Sequence, residues 1–266
     1  MRKLVIGDIH GNCKGLLDVL DACAYDKEYD QLICLGDYVD GWSESFEVVD
    51  FLIDLEGQAI HKPIFIRGNH DVWCEEFLNG QHSRHWLTQG GAATLESYLR
   101  NQKDDDVDRH RKFFRGLHDY YIDDENRAFI HGGFTSRKGV GHEPYRTNYY
   151  WDRDFWNLAT ILHRTKDKPI NGHANRNERH KEIFLGHTAT TGWNCKPHYP
   201  EYNDPNQPTK NGPITVPMNR LNVWNLDTGG GWGGKLTVMD VDSKQYWQAD
   251  YSKNYYPGEN GHTYKQ

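Results

Sequence analysis

The stretch Leu4-Val5-Ile6-Gly7-Asp8-Ile9-His10-Gly11 decides how this chain folds. Three apolar residues stop at a glycine and are followed by a carboxylate and an imidazole two positions apart. A short apolar run bounded in this way reads as a strand buried on both faces. Residues two apart at its end point the same way, so one strand end offers two polar ligands to one point in space. The pattern recurs. Leu32-Ile33-Cys34-Leu35 stops at Gly36-Asp37, and Ile64-Phe65-Ile66 stops at Arg67-Gly68-Asn69-His70. Ala128-Phe129-Ile130 stops at His131-Gly132-Gly133, and Ile183-Phe184-Leu185 stops at Gly186-His187.

Between the first two runs Leu16, Leu20 and Cys23 recur at helical spacing. Between the second and third, Val48, Val49, Leu52 and Leu55 do the same, with Ser45 as N-cap and Gly57 as stop. Strand, helix, strand, helix, strand calls for parallel pairing and a layered α/β fold. Such sheets place their ligand sites at the strand carboxyl ends, where the polar residues gather. Segment 72–126 lacks apolar runs and reads as a helical, cap-like insertion. Helices are expected over 94–99 and 107–117, with Asp104-Asp105-Asp106 as a solvated turn between them. The Pro/Asn/Gly-rich stretch 197–217 lies within a loop excursion spanning about 189–220. Residues 222–226, 236–241 and 245–248 return to strand. No repeat or clean linker divides the chain, so residues 1–266 are expected to form a single domain.

Composition narrows the function. The 266 residues carry 31 Lys and Arg against 38 Asp and Glu, a net charge of −7, and no basic block exceeds two residues. That balance argues against stable nucleic-acid binding through phosphate neutralisation. Charge for binding phosphate must be local or supplied by metal. No apolar run approaches the ~18 residues of a spanning helix, and Met1-Arg2-Lys3 leads into too short an apolar stretch for a secretory signal. The five cysteines are odd in number, widely spaced and without a CxxC pair, unlike a disulfide framework or a zinc ribbon. A cytoplasmic location without membrane association is expected. The 15 histidines and 26 glycines fit a site where ligand side chains converge beside bare backbone.

Taken together and in order, the blocks GDIHG, GDYVDG, RGNHD, HGG and GH over residues 7–188 resemble those of the calcineurin-like metallophosphoesterases. Within that superfamily the chain is most similar to bacterial and phage protein phosphatases of the serine/threonine, or phosphoprotein phosphatase, type. Trp86-Leu87-Thr88-Gln89-Gly90-Gly91 with Thr94-Leu95, Leu226-Asp227-Thr228-Gly229 and Gly233-Gly234-Lys235-Leu236-Thr237 extend the likeness along nearly the whole chain. The resemblance implies a four-layer αββα sandwich of two mixed β-sheets flanked by helices. It implies two divalent metal ions, with Asp8 and His10 on one, Asn69, His131 and His187 on the other, and Asp37 bridging them. Mixed carboxylate, amide and imidazole ligands suit manganese first, with iron or zinc as alternatives.

The chemistry implied is in-line attack on phosphorus by a hydroxide held between the metals. His70 would be the general acid toward the leaving group, and Asp40 would fix its tautomer. Substrate binding falls to Asn69 and to Arg153. Trp151-Asp152-Arg153 is the best match to a second phosphate-binding arginine of related phosphatases. Its competing reading is a helix-surface ion pair with Asp152 or Asp154. One departure stands out: where the protein phosphatases usually carry a phosphate-clamping arginine after GDYVD, this chain has Gly41. Loss of a bidentate arginine contact puts phosphoprotein specificity in question.

The favoured activity is that of a metal-dependent phosphomonoesterase acting on phosphorylated serine or threonine, with phosphotyrosine tolerated. The alternative is hydrolysis of nucleotides or dinucleoside polyphosphates, and a metal-binding protein without turnover is disfavoured because Asp40 and His70 are both present. Substrates are thus a phosphoprotein or phosphopeptide, or a small phosphorylated metabolite or nucleotide. Arg67 reads as a structural anchor. His187 is preferred over His173 as a ligand because a strand delivers it. The aromatic residues Trp73, Tyr149, Tyr150, Trp151, Phe155 and Trp156 read as core or lid packing.

Overall fold

Alternate residues of the apolar runs face opposite ways, and this period of two builds the layers. In the computed structural model, which describes residues 1–101, 104–165, 176–193 and 212–262, the first half runs β1 (Arg2–Ile6), α1 (Cys13–Ala22), β2 (Asp30–Cys34), α2 (Ser45–Gln58) and β3 (Ile64–Phe65). Leu4, Ile6, Leu32 and Cys34 face helices, packing with Leu16, Val48 and Leu52. Their neighbours Val5, Ile33 and Leu35 point the other way and meet Phe129, Phe184 and Leu226 from a second sheet. Phe129 and Phe184 stack at 5.0 Å with planes 10° apart. A third cluster, with Ala128, Ile130, Ile183 and Leu185, packs against Phe155 and Trp156.

The chain continues through α3 (Asn69–Leu78), α4 (Arg84–Trp86), α5 (Ala92–Asn101), α6 (Asp104–Gly116), β4 (Tyr120–Ile122), β5 (Arg127–Ile130), α7 (Asn148–Trp151), α8 (Asp154–Thr165) and β6 (Glu182–Leu185). It ends with β7 (Met218–Arg220), β8 (Val223–Asn225), β9 (Lys235–Asp240), β10 (Tyr246–Tyr251) and α9 (Ser252–Tyr255). One sheet has the order β10-β9-β1-β2-β3 and the other β4-β5-β6-β8-β7. The βαβαβ expectation holds, since β1, β2 and β3 are parallel. Strands β5, β6 and β8 form a matching parallel set in the other sheet, and antiparallel strands flank both sets. The fold is α/β, two mixed five-stranded sheets flanked by helices.

Three local expectations are corrected. The acidic triplet at 104–106 opens α6 instead of forming a turn, because acidic residues are favoured in a helix's first turn, where the macrodipole is positive. Glu44, not Ser45, is the N-cap of α2, and that helix passes Gly57 to end at Gln58. The Ser45 hydroxyl is used elsewhere, on the Asp40 N–H and on Thr94. Cys195, His173 and most of the 189–220 excursion lie outside the described residues. No helix among the described residues is long and apolar enough to cross a membrane.

Candidate active site

Each of the six parallel strands delivers a polar residue from its carboxyl end. Asp8 and His10 follow β1, Asp37 and Asp40 follow β2, and Asn69 and His70 follow β3. His131 follows β5, His187 follows β6 and Asp227 follows β8. His10, Asp37, Asp40 and His187 all hold positive φ, 53°, 53°, 70° and 65°. Side chains other than glycine seldom adopt that region, and such strain collects at functional sites. Close approach also needs bare backbone at two turns: a Cβ on Gly68 would lie 2.1 Å from Asp37 Oδ1, and one on Gly186 would lie 2.0 Å from Asp8 Oδ1.

Among the described residues the ligand-type atoms form three sets, each within 4.8 Å: Asp8 with His10 and Asp37, Asp37 with His131 and His187, and His10 with His70 and His262. Asp37 belongs to the first two, which carry the carboxylates. Its Oδ2 lies 3.7 Å from His10 Nε2 and 3.2 Å from His131 Nε2. Asn69 Oδ1 is 3.3 Å from the same His131 nitrogen. The far ring nitrogens are tied back: His10 Nδ1 lies 3.1 Å from the Val39 carbonyl and His131 Nδ1 lies 2.8 Å from the Leu35 carbonyl. Such contacts fix a histidine's tautomer and aim the other nitrogen at a metal.

The electrostatics call for a cation. Asp8, Asp37 and Asp227 are all buried, and Arg153 is the cation that acts on Asp8 and Asp227. Burial, then Asp227 and Asp37, push the Asp8 carboxyl well above its usual range. Burial works the same way on Asp37, but His131, His70 and His10 reverse it and hold that carboxyl well below. Burial drives the His10 pKa down to about 3. It also lowers that of His187, aided by His131 and Arg153. Both rings are therefore neutral, the form that binds metals. Asp8 Oδ1 and both ring nitrogens of His187 are buried without a hydrogen-bond partner, an arrangement that costs free energy unless something fills it. These donors fit divalent metal ions.

Beside the first two sets, His70 Nδ1 lies 2.7 Å from Asp40 Oδ2. Asp40 is fully buried; it also accepts from Trp86 Nε1 at 2.8 Å and from Thr94 Oγ1 at 2.7 Å. Burial alone would lower the His70 pKa, but the Asp37 charge and the Asp40 hydrogen bond outweigh it and raise the pKa above its ordinary value. With Nδ1 engaged, Nε2 is the atom left to carry a proton toward a ligand. Asp71 clasps this corner together, accepting from the backbone N–H groups of Gly68, Asp37 and Tyr38 at 2.7 to 2.9 Å. Arg67 points away, onto Glu75 and the Phe114 carbonyl.

Arg153 reaches the site's rim, donating to the His187 carbonyl and to Thr188 Oγ1, and it pairs with neither Asp152 nor Asp154. The aromatic residues divide. Tyr149, Tyr150, Phe155 and Trp156 are core, but Trp73 and Trp151 are not. Trp73 meets the His70 ring edge to face at 5.0 Å and the Trp151 ring at 5.1 Å. Trp151 is 41% exposed and lies 6.2 Å from the His187 ring.

Two residues that sequence motifs did not place in the site are Asp227 and His262. Asp227 could have been found, since Leu226-Asp227-Thr228-Gly229 follows an apolar run as the other blocks do. His262 had no such signal. Its Nε2 lies 2.8 Å from His10 Nδ1. Its ring stands where a Gly41 side chain would begin, 3.2 Å from the Cβ position.

Comparison with known proteins places the chain in a family. The family model for calcineurin-like phosphoesterases matches residues 1–221. A symmetrical bis(5'-nucleosyl)-tetraphosphatase from Pseudomonas fluorescens is 24% identical, over 91% of this chain and 92% of that protein. One of the same name from Nitrosospira multiformis is 22% identical, over 94% of this chain and 96% of that one. Among solved structures, a candidate diadenosine tetraphosphatase superposes with a TM-score of 0.56 at 17% identity, over 93% of this chain and 92% of that one. A serine/threonine phosphatase from Saccharomyces cerevisiae gives 0.57 at 14% identity, over 99% and 84%. At these identities the structures share the fold. The chain belongs to the calcineurin-like phosphoesterase family.

Proposed function

We propose that this calcineurin-like phosphoesterase hydrolyses nucleotide phosphoanhydrides, with dinucleoside polyphosphates preferred over phosphorylated serine or threonine. The observation that carries this choice is the aromatic rim, Trp73 on His70 and exposed Trp151 beside His187. A flat π-face at the mouth of a phosphate site suits a nucleobase, and stacking on it stabilises binding by roughly 1–3 kcal/mol per base. The missing arginine at Gly41 supports the same preference, as do the names of the relatives that span nearly the whole chain.

Asp8, His10 and Asp37 would hold one divalent ion, and Asp37, Asn69, His131 and His187 a second, with manganese the first metal to test. When bound, such ions supply Lewis acidity toward phosphoryl oxygens and activate water as a nucleophile. The remaining work falls to this chain's own residues. Arg153 and the Asn69 amide orient the phosphate. His70 Nε2 gives its proton to the departing oxygen while Asp40 holds the ring in place. Water's oxygen joins phosphorus as the P–O bond to the leaving group breaks. A dinucleoside tetraphosphate cut at its centre then yields two nucleoside diphosphates.

The test is a substrate panel on manganese-loaded protein: diadenosine tetraphosphate, a mononucleotide, a phosphoserine peptide and a cyclic phosphodiester at equal concentration. The tetraphosphate should be turned over with the highest kcat/KM. Preference for the phosphopeptide would reverse the proposal.

A further inference from the structure

His262 closes the site from the carboxyl-terminal end of the described chain. Its ring centroid lies 4.2 Å from that of His10 and 4.9 Å from that of His70. Absent side chains make its cradle. A Cβ would come within 3.2 Å of the ring from Gly41, 2.9 Å from Gly90 and 2.7 Å from Gly231. Trp232 covers the ring at 4.9 Å with planes 30° apart, and the His262 backbone N–H donates to the Gly231 carbonyl at 2.9 Å. A side chain seated between three glycines and a tryptophan is built into the site, not lying across it.

We infer that His262 is a positioning residue that fixes the tautomer and orientation of His10 as a metal ligand. This rests on Asp8, His10 and Asp37 being a metal-binding set. His10 Nε2 faces Asp8 and Asp37, at 4.0 and 3.7 Å, so the ring's proton belongs on Nδ1. That N–H meets two acceptors, the Val39 carbonyl at 3.1 Å and His262 Nε2 at 2.8 Å. For Nε2 of His262 to accept, its own proton must sit on Nδ1, beside the backbone of Gly90. The two imidazoles form a chain in which each donates from Nδ1 and presents Nε2, and the last Nε2 is the one aimed at the metal. Removing an outer partner of this kind costs ~10–100-fold in metal affinity. The seated ring also explains the departure at residue 41. An arginine there would meet His262 and would have to adopt the φ of +103° that Gly41 holds.

The test titrates manganese alone into metal-free, full-length protein by calorimetry, with circular dichroism to check the fold. His262→Ala should weaken one of two sites by about 10–100-fold and leave the other unchanged. His262→Leu refills the cradle without an acceptor and should be as weak as His262→Ala. His262→Gln, whose amide oxygen can accept from His10 Nδ1, should recover most of the affinity. Recovery by leucine, or affinity within about twofold of wild type in the alanine variant, would overturn the assignment and leave only packing. His10→Ala should bind one ion fewer; retention of two would defeat the underlying metal-set reading itself.

Discussion

Replacing His70 by asparagine separates proton donation from metal binding, and its size depends on what leaves. The His70 ring is held by one 2.7 Å contact from Nδ1 to Asp40, itself fixed by Trp86 and Thr94. An asparagine amide can keep that contact but has no atom where Nε2 was, so proton donation is lost while Asp40 stays satisfied. General acid catalysis is worth ~10²–10⁴-fold, or roughly 2.7–5.4 kcal/mol at 1.36 kcal/mol per decade, when the leaving group needs the proton. A phosphoserine alkoxide does, its pKa being close to that of water, about 16. A departing phosphate group, with a pKa of about 6, is stable without one. His70→Asn should therefore cut kcat on a phosphoserine peptide by about 10²–10⁴-fold and on diadenosine tetraphosphate by about tenfold or less. Manganese stoichiometry should stay unchanged. The assay is steady-state kinetics on both substrates with calorimetry on the same preparations. Equal losses on the two substrates would refute the proton-donor role of Nε2, and loss of bound metal would show His70 to be a ligand.

Four further outcomes are expected. Gly41→Arg should not tighten phosphate binding; it should unseat His262 and force a side chain to φ +103°, lowering stability by ~1–2 kcal/mol, and a thermal melt unchanged from wild type would count against this. Trp151→Ala should cost roughly 1–3 kcal/mol of nucleotide binding, read as a KM increase of about fivefold or more, with inhibition by inorganic phosphate unchanged. Asp123→Ala should cost ~3–5 kcal/mol in urea melts, because buried Asp123 pairs with Lys3 and Arg127 between the two sheets. Burial raises the Asp123 carboxyl, but the Arg127 and Lys3 contacts outweigh it and depress it overall. Its stabilisation is therefore present above the ordinary carboxylate range and lost as pH falls through the depressed value, and acid melts of the variant should show a shallower dependence there. Finally, manganese at a hundredfold excess over its Kd should stabilise the metal-free protein by about 2.7 kcal/mol; equal melting temperatures with and without chelator would exclude the metal-set reading.

Most of the architecture was legible because it is local. Runs such as Leu4-Val5-Ile6 and Ala128-Phe129-Ile130 declare strands within a few residues, and their alternation between helix-facing and sheet-facing layers follows from the backbone period. Strands β4 and β7 were missed because neither is a buried apolar run: β4 is partly exposed, β7 carries Asn219 and Arg220, and both lie at sheet edges. The aromatic residues near position 151 were not separable by type. Trp156 is core while Trp151 is open to solvent, a difference set by helix packing and not by composition.

The amino-acid order by itself determined which residue types stand at the strand ends; that Asp8, His10, Asp37, Asn69, His131 and His187 form one site was what the family resemblance implied, and the fold brings them together. A strand end fixes the direction of the next few side chains, and six parallel strands in two packed sheets bring those ends together. Only the tertiary structure decided that the space beside Gly41 is taken by the His262 ring. Only it seated His262 on His10, 252 residues away. Contacts of that span leave no periodicity in the chain; they exist only once the sheets, the glycine turns and the carboxyl-terminal segment have packed into one place.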